Sequence, residues 1–203
     1  FYKKKNYSQF NEDSFIKDFF LNKPPGKFVD IGCFHPIRYN NTYLLYKSGW
    51  RGINIDLNPV CNDMFNIIRK NDENICSVIG EKNGNVKVYI EHLFSAANTT
   101  DKQIYEKDQK KNKLFKNIIN SKMRKFDDIV KEKFDFLNID VEGIDYDILK
   151  TNNLIFYQPK LVCIEILENK EKNKIFQYLE KNNYSFCKKL RVSYFFKLNS
   201  FNR

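Results

Sequence analysis

A chain of 203 residues, 42% hydrophobic and 16% aromatic, can bury a sizeable core as one domain, which excludes a disordered chain. The formal charge of +10 invites an anionic partner, although the basic residues are scattered except at Lys3–Lys5 and in the segment 99–125, where nine Lys and Arg face three acids. No apolar run reaches membrane-crossing length, Phe1–Lys5 lacks a signal peptide's apolar part, and the five cysteines (33, 61, 76, 163 and 187) show no paired spacing, so reduced thiols in a cytoplasmic protein and no zinc site are expected.

In chain order, Ser8 is placed to cap a first helix, with Glu12 and Asp13 near its positive end and Phe15, Ile16, Phe19 and Phe20 on its buried face. Pro24-Pro25-Gly26 stops it before a strand at Phe28–Ile31 that ends in Gly32. Asn41-Thr42-Tyr43-Leu44-Leu45-Tyr46-Lys47-Ser48-Gly49 has the polar start, apolar body and glycine stop of a short helix. A second strand, Gly52–Ile55, ends at Asp56, and Asn58-Pro59 opens a helix carrying Met64, Phe65, Ile67 and Ile68. A third strand is expected at Ile75–Ile79, with Asn83-Gly84 as a hairpin turn into Val86–Ile90.

Periodicity weakens between Glu91 and Lys122, apart from Leu114, Phe115, Ile118 and Ile119 at helical spacing, which predicts a partly mobile insertion with one helix. A short helix at Asp127–Val130, a central strand at Phe134–Ile139 and a helix at Ile144–Lys150 follow. Then come a strand at Leu161–Ile166, a helix through Ile175, Phe176 and Leu179, and a closing hairpin of Tyr184–Leu190 and Ser193–Leu198. Alternating strands and helices predict an α/β fold: a mostly parallel sheet, helices on both faces and an antiparallel C-terminal hairpin. The whole chain, 1–203, reads as one domain, with residues 1–26 as an N-terminal helical segment and 91–125 as an insertion over the cofactor face.

A strand, a turn with Gly32, a helix and a second strand ending in Asp56 form a unit that holds nucleoside cofactors, the glycine admitting the ligand and the acid accepting from ribose hydroxyls. Asp30 can steer that turn through its backbone amides, while Asn41 and Thr42 are placed to cap the helix. Ser77 and Val78, late in the third strand, are placed to flank an adenine. Asp140-Val141-Glu142-Gly143 follows the central strand, and Glu165 nearly ends the next, so these carboxylates can converge where open α/β sheets bind ligands. They either cap the following helix or supply chemistry, as a base or as oxygen ligands for magnesium or manganese.

Asp30-Ile31-Gly32-Cys33-Phe34-His35-Pro36 and the segment Asn41–Pro59 resemble the FkbM family of S-adenosylmethionine-dependent methyltransferases. Tyr7–Asp13, Phe136–Asp145, Thr151–Asn153 and Gln158–Ile166 resemble further blocks of that family in the right order, nearly the whole length of the chain. The resemblance implies a Rossmann-like class I methyltransferase sheet and O-methylation of a sugar or glycoconjugate precursor. It implies cofactor contacts at Asp30, Gly32, Cys33, Asn41, Thr42, Asp56 and Leu57, and chemistry at Asp140, Glu142 and Glu165, with His35 either contacting a ligand or packing its turn. The chain departs from the family pattern at His35-Pro36, at Asn138, where lysine is frequent, and at Asp145, where glutamate is common.

Asn98-Thr99 reaches the acceptor or is a plain loop. A nicotinamide-dependent oxidoreductase is disfavoured because the turn lacks Gly-x-Gly-x-x-Gly spacing. The alternative from another class is a protein that binds or methylates nucleic acid with its basic surface, but no nucleic-acid-binding motif accompanies the basic clusters. A basic rim would equally suit an anionic small-molecule or glycan acceptor. The sequence sets no oligomeric state.

Overall fold

The computed structural model describes residues 6–167 and 169–201, so the Lys3–Lys5 cluster lies outside the described residues. In chain order the elements are α1 (Glu12–Phe19), β1 (Lys27–Ile31), α2 (Tyr43–Lys47), β2 (Arg51–Asp56), α3 (Pro59–Ile68), β3 (Glu73–Cys76), β4 (Val78–Ile79), β5 (Gly84–Ile90) and α4 (Lys102–Gln109). They continue with β6 (Asn117–Arg124), α5 (Phe126–Ile129), β7 (Phe136–Ile139), α6 (Asp145–Thr151), α7 (Leu154–Tyr157), β8 (Leu161–Glu165), α8 (Asn169–Lys181), β9 (Tyr184–Leu190) and β10 (Ser193–Leu198).

Seven strands form the main sheet in the order β3-β2-β1-β7-β8-β10-β9. The first five run parallel, and β10 is antiparallel to both its neighbours. The expected mainly parallel sheet with an antiparallel C-terminal hairpin is therefore present, and no helix among the described residues is long and apolar enough to cross a membrane. Both faces are covered, so β1, β7 and β8 are apolar almost throughout. Val29, Ile31, Leu137, Ile139, Val162 and Ile164 face a core shared with Phe126, Leu149 and Ile175. Their alternates Phe28, Phe136 and Leu161 meet Ile16, Phe19, Phe20, Leu45 and Trp50 on the other side. Each such large side chain, fully buried, contributes roughly 1.5–3 kcal/mol of transfer free energy.

Four expectations change. The helix α1 starts at Glu12 after a left-handed Asn11, and Ser8 acts from four residues upstream, its Oγ accepting from the Asp13 amide at 3.2 Å. The third strand breaks at Ser77: β3 stays in the main sheet, and β4 joins a three-stranded sheet in the order β4-β6-β5. No β4–β5 hairpin forms, because β6 lies between them, and Asn83 instead accepts from the Lys125 amide at 2.9 Å. The Leu114–Ile119 stripe is not helical: Ile118 and Ile119 are exposed residues of β6, and the insertion's helix is α4.

Candidate functional site

A cleft partly open to solvent runs along the carboxyl edge of the main sheet. Asp56 from β2, Gly32 after β1, Asp140 after β7, Glu165 from β8 and Ser193 from β10 line it in the order of their strands. With strands about 4.8 Å apart, a ligand lying along this edge meets these groups one after another. Ser95, Ala96, Asn98 and Thr100 of the insertion close one side, and Gln9, Phe10 and Glu12 close the end beyond Glu165. Although the chain carries +10, the described lining residues include five acids and no Lys or Arg.

At the Asp56 end the chain turns tightly. Gly32 has φ +79°, and a side-chain carbon there would come within 1.7 Å of the Asp140 carbonyl, so only glycine fits between β1 and β7. Phe34 and Asn58 each donate a backbone amide to an Asp56 oxygen at 2.8 Å, which fixes the carboxylate while leaving further lone pairs for a ligand. Burial pushes Asp56 up to about 6, against the two amides, which pull it down. Leu57, Val78 and Ile79 make the wall beside it apolar, and the Ser77 hydroxyl, donating to the Lys122 carbonyl at 3.2 Å, is turned into the protein.

In the middle of the cleft Asp140, Glu142 and Glu165 each offer an oxygen, all within 4.8 Å of one another. Glu142 sits in the left-handed region at φ 58° and Gly143 at φ 105°. A non-glycine residue held there costs about 1–3 kcal/mol, strain of the kind found where a turn aims a functional side chain. The turn is pinned by Asp145, whose carboxylate accepts from the amides of Val141 at 3.0 Å and Gly143 at 3.1 Å. Burial raises all three acids: Asp140 stands well above the carboxylate range, pushed further by Glu165, and Glu165 reaches about 8 through burial and then Glu142. Glu165 Oε2 is buried without a hydrogen-bond partner.

Of the residues expected at the site, Gly32, Asn41, Asp56, Leu57, Ser77, Val78, Asp140, Glu142 and Glu165 line this one cleft. Asp30, Cys33, Thr42 and His35 do not. Asp30 and Thr42 are buried and bonded to each other, Oγ1 to Oδ2 at 2.7 Å, and Cys33 is buried under the turn. His35 Nδ1 accepts from the amides of Ile37 and Arg38, both at 3.0 Å, so it packs its turn and has no lone pair left there for a proton. Asn98 lines the cleft, whereas Thr99 is buried and donates to the Glu142 carbonyl at 3.3 Å.

Glu12 was legible only as a helix-start acid. It is 2% exposed, accepts from the Phe10 amide at 2.6 Å and from Ser193 Oγ at 3.3 Å, and joins the cleft wall. Nothing local in the sequence marks Ser193 or Tyr39, which reach the cleft only through the fold.

Residues 30–186 match the family model described as the methyltransferase FkbM domain. Among solved structures, methyltransferase FkbM from Methylobacillus flagellatus KT, a crystal structure at 2.20 Å resolution, is similar with a TM-score of 0.62 and 13% sequence identity. The match covers 94% of this chain and 48% of that one, so the chain spans about half the length of that structure. A comparison with curated proteins gives no match.

Proposed function

The chain belongs to the FkbM methyltransferase family, and we propose that it moves the methyl group of S-adenosylmethionine to a hydroxyl, on a sugar or glycoconjugate precursor. One observation carries this reading: Asp56, Gly32, Asp140 and Glu165 line a single cleft in the order in which ribose, turn and reacting groups would be needed. Asp56 holds the ribose hydroxyls, and the Leu57, Val78 and Ile79 wall takes the adenine. An acidic, lysine-free lining favours a sulfonium cation, and it would repel any anionic part of an acceptor toward the basic surface. The buried thiols of Cys33, Cys61 and Cys163 support a reducing, cytoplasmic setting.

A sugar hydroxyl is too weak an acid to ionise at neutral pH, so its proton must be taken or its charge stabilised. The Asp140–Glu165 pair, once ionised, accepts that proton as the methyl arrives, and Glu142 adds a second negative charge that raises the pair's basicity. The same three carboxylates fit a hard divalent cation, magnesium or manganese: the donors are all oxygen, and one buried oxygen of Glu165 lacks a partner. When bound, such a cation lowers the hydroxyl's pKa.

The test is transfer of an isotope-labelled methyl from S-adenosylmethionine into glycan precursors of a producing cell. Label in a glycan fraction supports the proposal. Label appearing in RNA, or in no fraction although the protein binds the cofactor, would overturn the acceptor class.

A further inference from the structure

Asn54 on β2, Asp30 on β1 and Asn138 on β7 stand side by side in the strand register, each at most 3% exposed. They lie on the face that elsewhere carries Phe28, Phe136 and Phe195. A buried polar row in place of aliphatic side chains is costly unless its hydrogen bonds are made, and here they run in a defined direction.

Arg69, 0% exposed, can only donate, and its Nη1 donates to Thr42 Oγ1 at 2.9 Å. A hydroxyl that accepts from Arg69 passes its own proton on, and Thr42 Oγ1 donates to Asp30 Oδ2 at 2.7 Å. The other Asp30 oxygen accepts from Asn138 Nδ2 at 2.8 Å. With its nitrogen so committed, Asn138 turns Oδ1 the opposite way, where it accepts from Asn41 Nδ2 at 3.0 Å. Asn41 lines the cleft, and its nitrogen faces Asn138, so Oδ1 is the end of its amide turned away from the row. An ionised carboxylate accepts only, so the charge on Asp30 dictates the orientation of two amides in series.

We propose, on the premise of the S-adenosylmethionine assignment above, that Arg69, Thr42, Asp30 and Asn138 form a positioning relay that holds Asn41 with its carbonyl oxygen toward the cleft, to receive the ammonium group of the cofactor's amino-acid end. Reversed, the same amide would present its NH₂ group and repel that cation. Arg69 and Thr42 touch no ligand; they act through Asn41, and Asn138 supplies the amide link that a lysine could not.

The experiment is calorimetric titration of wild type, Asn41→Leu, Thr42→Val, Thr42→Ser and Asp30→Asn with S-adenosylhomocysteine and with its analogue lacking the α-amino group, melting temperatures being measured in parallel. Wild type should prefer the natural ligand by about tenfold or more, the value of one well-placed charged hydrogen bond. Asn41→Leu, Thr42→Val and Asp30→Asn should shrink that preference to about twofold while leaving affinity for the deaminated analogue within about twofold of wild type. Thr42→Ser, which keeps the hydroxyl, should retain the preference. An undiminished preference in Thr42→Val and Asp30→Asn, or equal weakening of both ligands, overturns the relay alone. If only one of those two variants folds, that one decides. Wild type binding neither ligand would instead overturn the cofactor assignment and the relay with it.

Discussion

Asp140 and Glu165 face each other with oxygens within 4.8 Å, so their protons leave in two steps, and loss of the first already leaves a carboxylate able to act as base. Without added metal, kcat/KM should therefore rise with pH through about 8, the value at which Glu165 stands, and a rate profile that is flat from pH 6 to 9 would contradict a carboxylate base. Chelation followed by magnesium add-back separates the two means of activation: a cation requirement gives loss and recovery of activity, and a metal-free base gives neither. In either case Asp140→Asn or Glu142→Gln should lower turnover by about 10²-fold or more with S-adenosylhomocysteine affinity nearly unchanged. At the other end of the cleft the proposed ribose contact requires Asp56 to be ionised. Its folded value is about 6, so cofactor affinity should fall as pH drops through 6, and the fall should vanish in Asp56→Ala.

Elements built from near neighbours were legible in the sequence, and those built from distant ones were not. The hairpin β9–β10 has the predicted bounds, Tyr184–Leu190 and Ser193–Leu198, because its partners are separated by two residues. By contrast, β6 enters between β4 and β5 from more than 25 residues away, which no local turn signal at Asn83-Gly84 can announce. The Leu114–Ile119 stripe fits a helix by spacing alone, but its β-branched Ile118 and Ile119 suit a strand, and tertiary pairing with β5 decided the matter. The site divides in the same way. Gly32, Asp56, Asp140 and Glu165 could be expected on the cleft because they lie at strand ends, whereas Glu12 and Ser193 reach it from the two ends of the chain. Two outcomes follow for the insertion. Ile118→Ser, on an exposed face of β6, should change unfolding free energy by no more than about 0.5 kcal/mol, against roughly 3–5 kcal/mol for Phe65→Ala in the buried face of α3. Neutralising the exposed Lys110, Lys111 and Lys113 should leave cofactor affinity intact and alter only the use of an anionic acceptor; tight RNA binding at physiological salt that disappears in this triple variant would favour the nucleic-acid alternative.

The molecule as a whole separates its charges, an excess of lysine on the outside and carboxylates gathered in the cleft and beneath it. Asp56 at about 6, Asp145 at about 7 and Glu165 at about 8 are all raised above their ordinary values of 3.8, 3.8 and 4.5. Between those values the folded chain binds more protons than the unfolded one, so this contribution to stability is complete below about pH 4 and is lost as pH rises through 6, 7 and 8. The metal- and cofactor-free protein should accordingly lose stability from pH 5.5 to 8.5 in urea titrations, and adding a ligand that binds the ionised cleft should reverse part of the loss. The claim on which everything else depends is that this cleft holds S-adenosylmethionine through Asp56, and calorimetry at pH 7.5 tests it directly. Wild type should bind S-adenosylmethionine and S-adenosylhomocysteine but not NAD, and Asp56→Ala should weaken both by about 1.5–3 kcal/mol. Binding of NAD, or unchanged affinity in the Asp56→Ala variant, would contradict it.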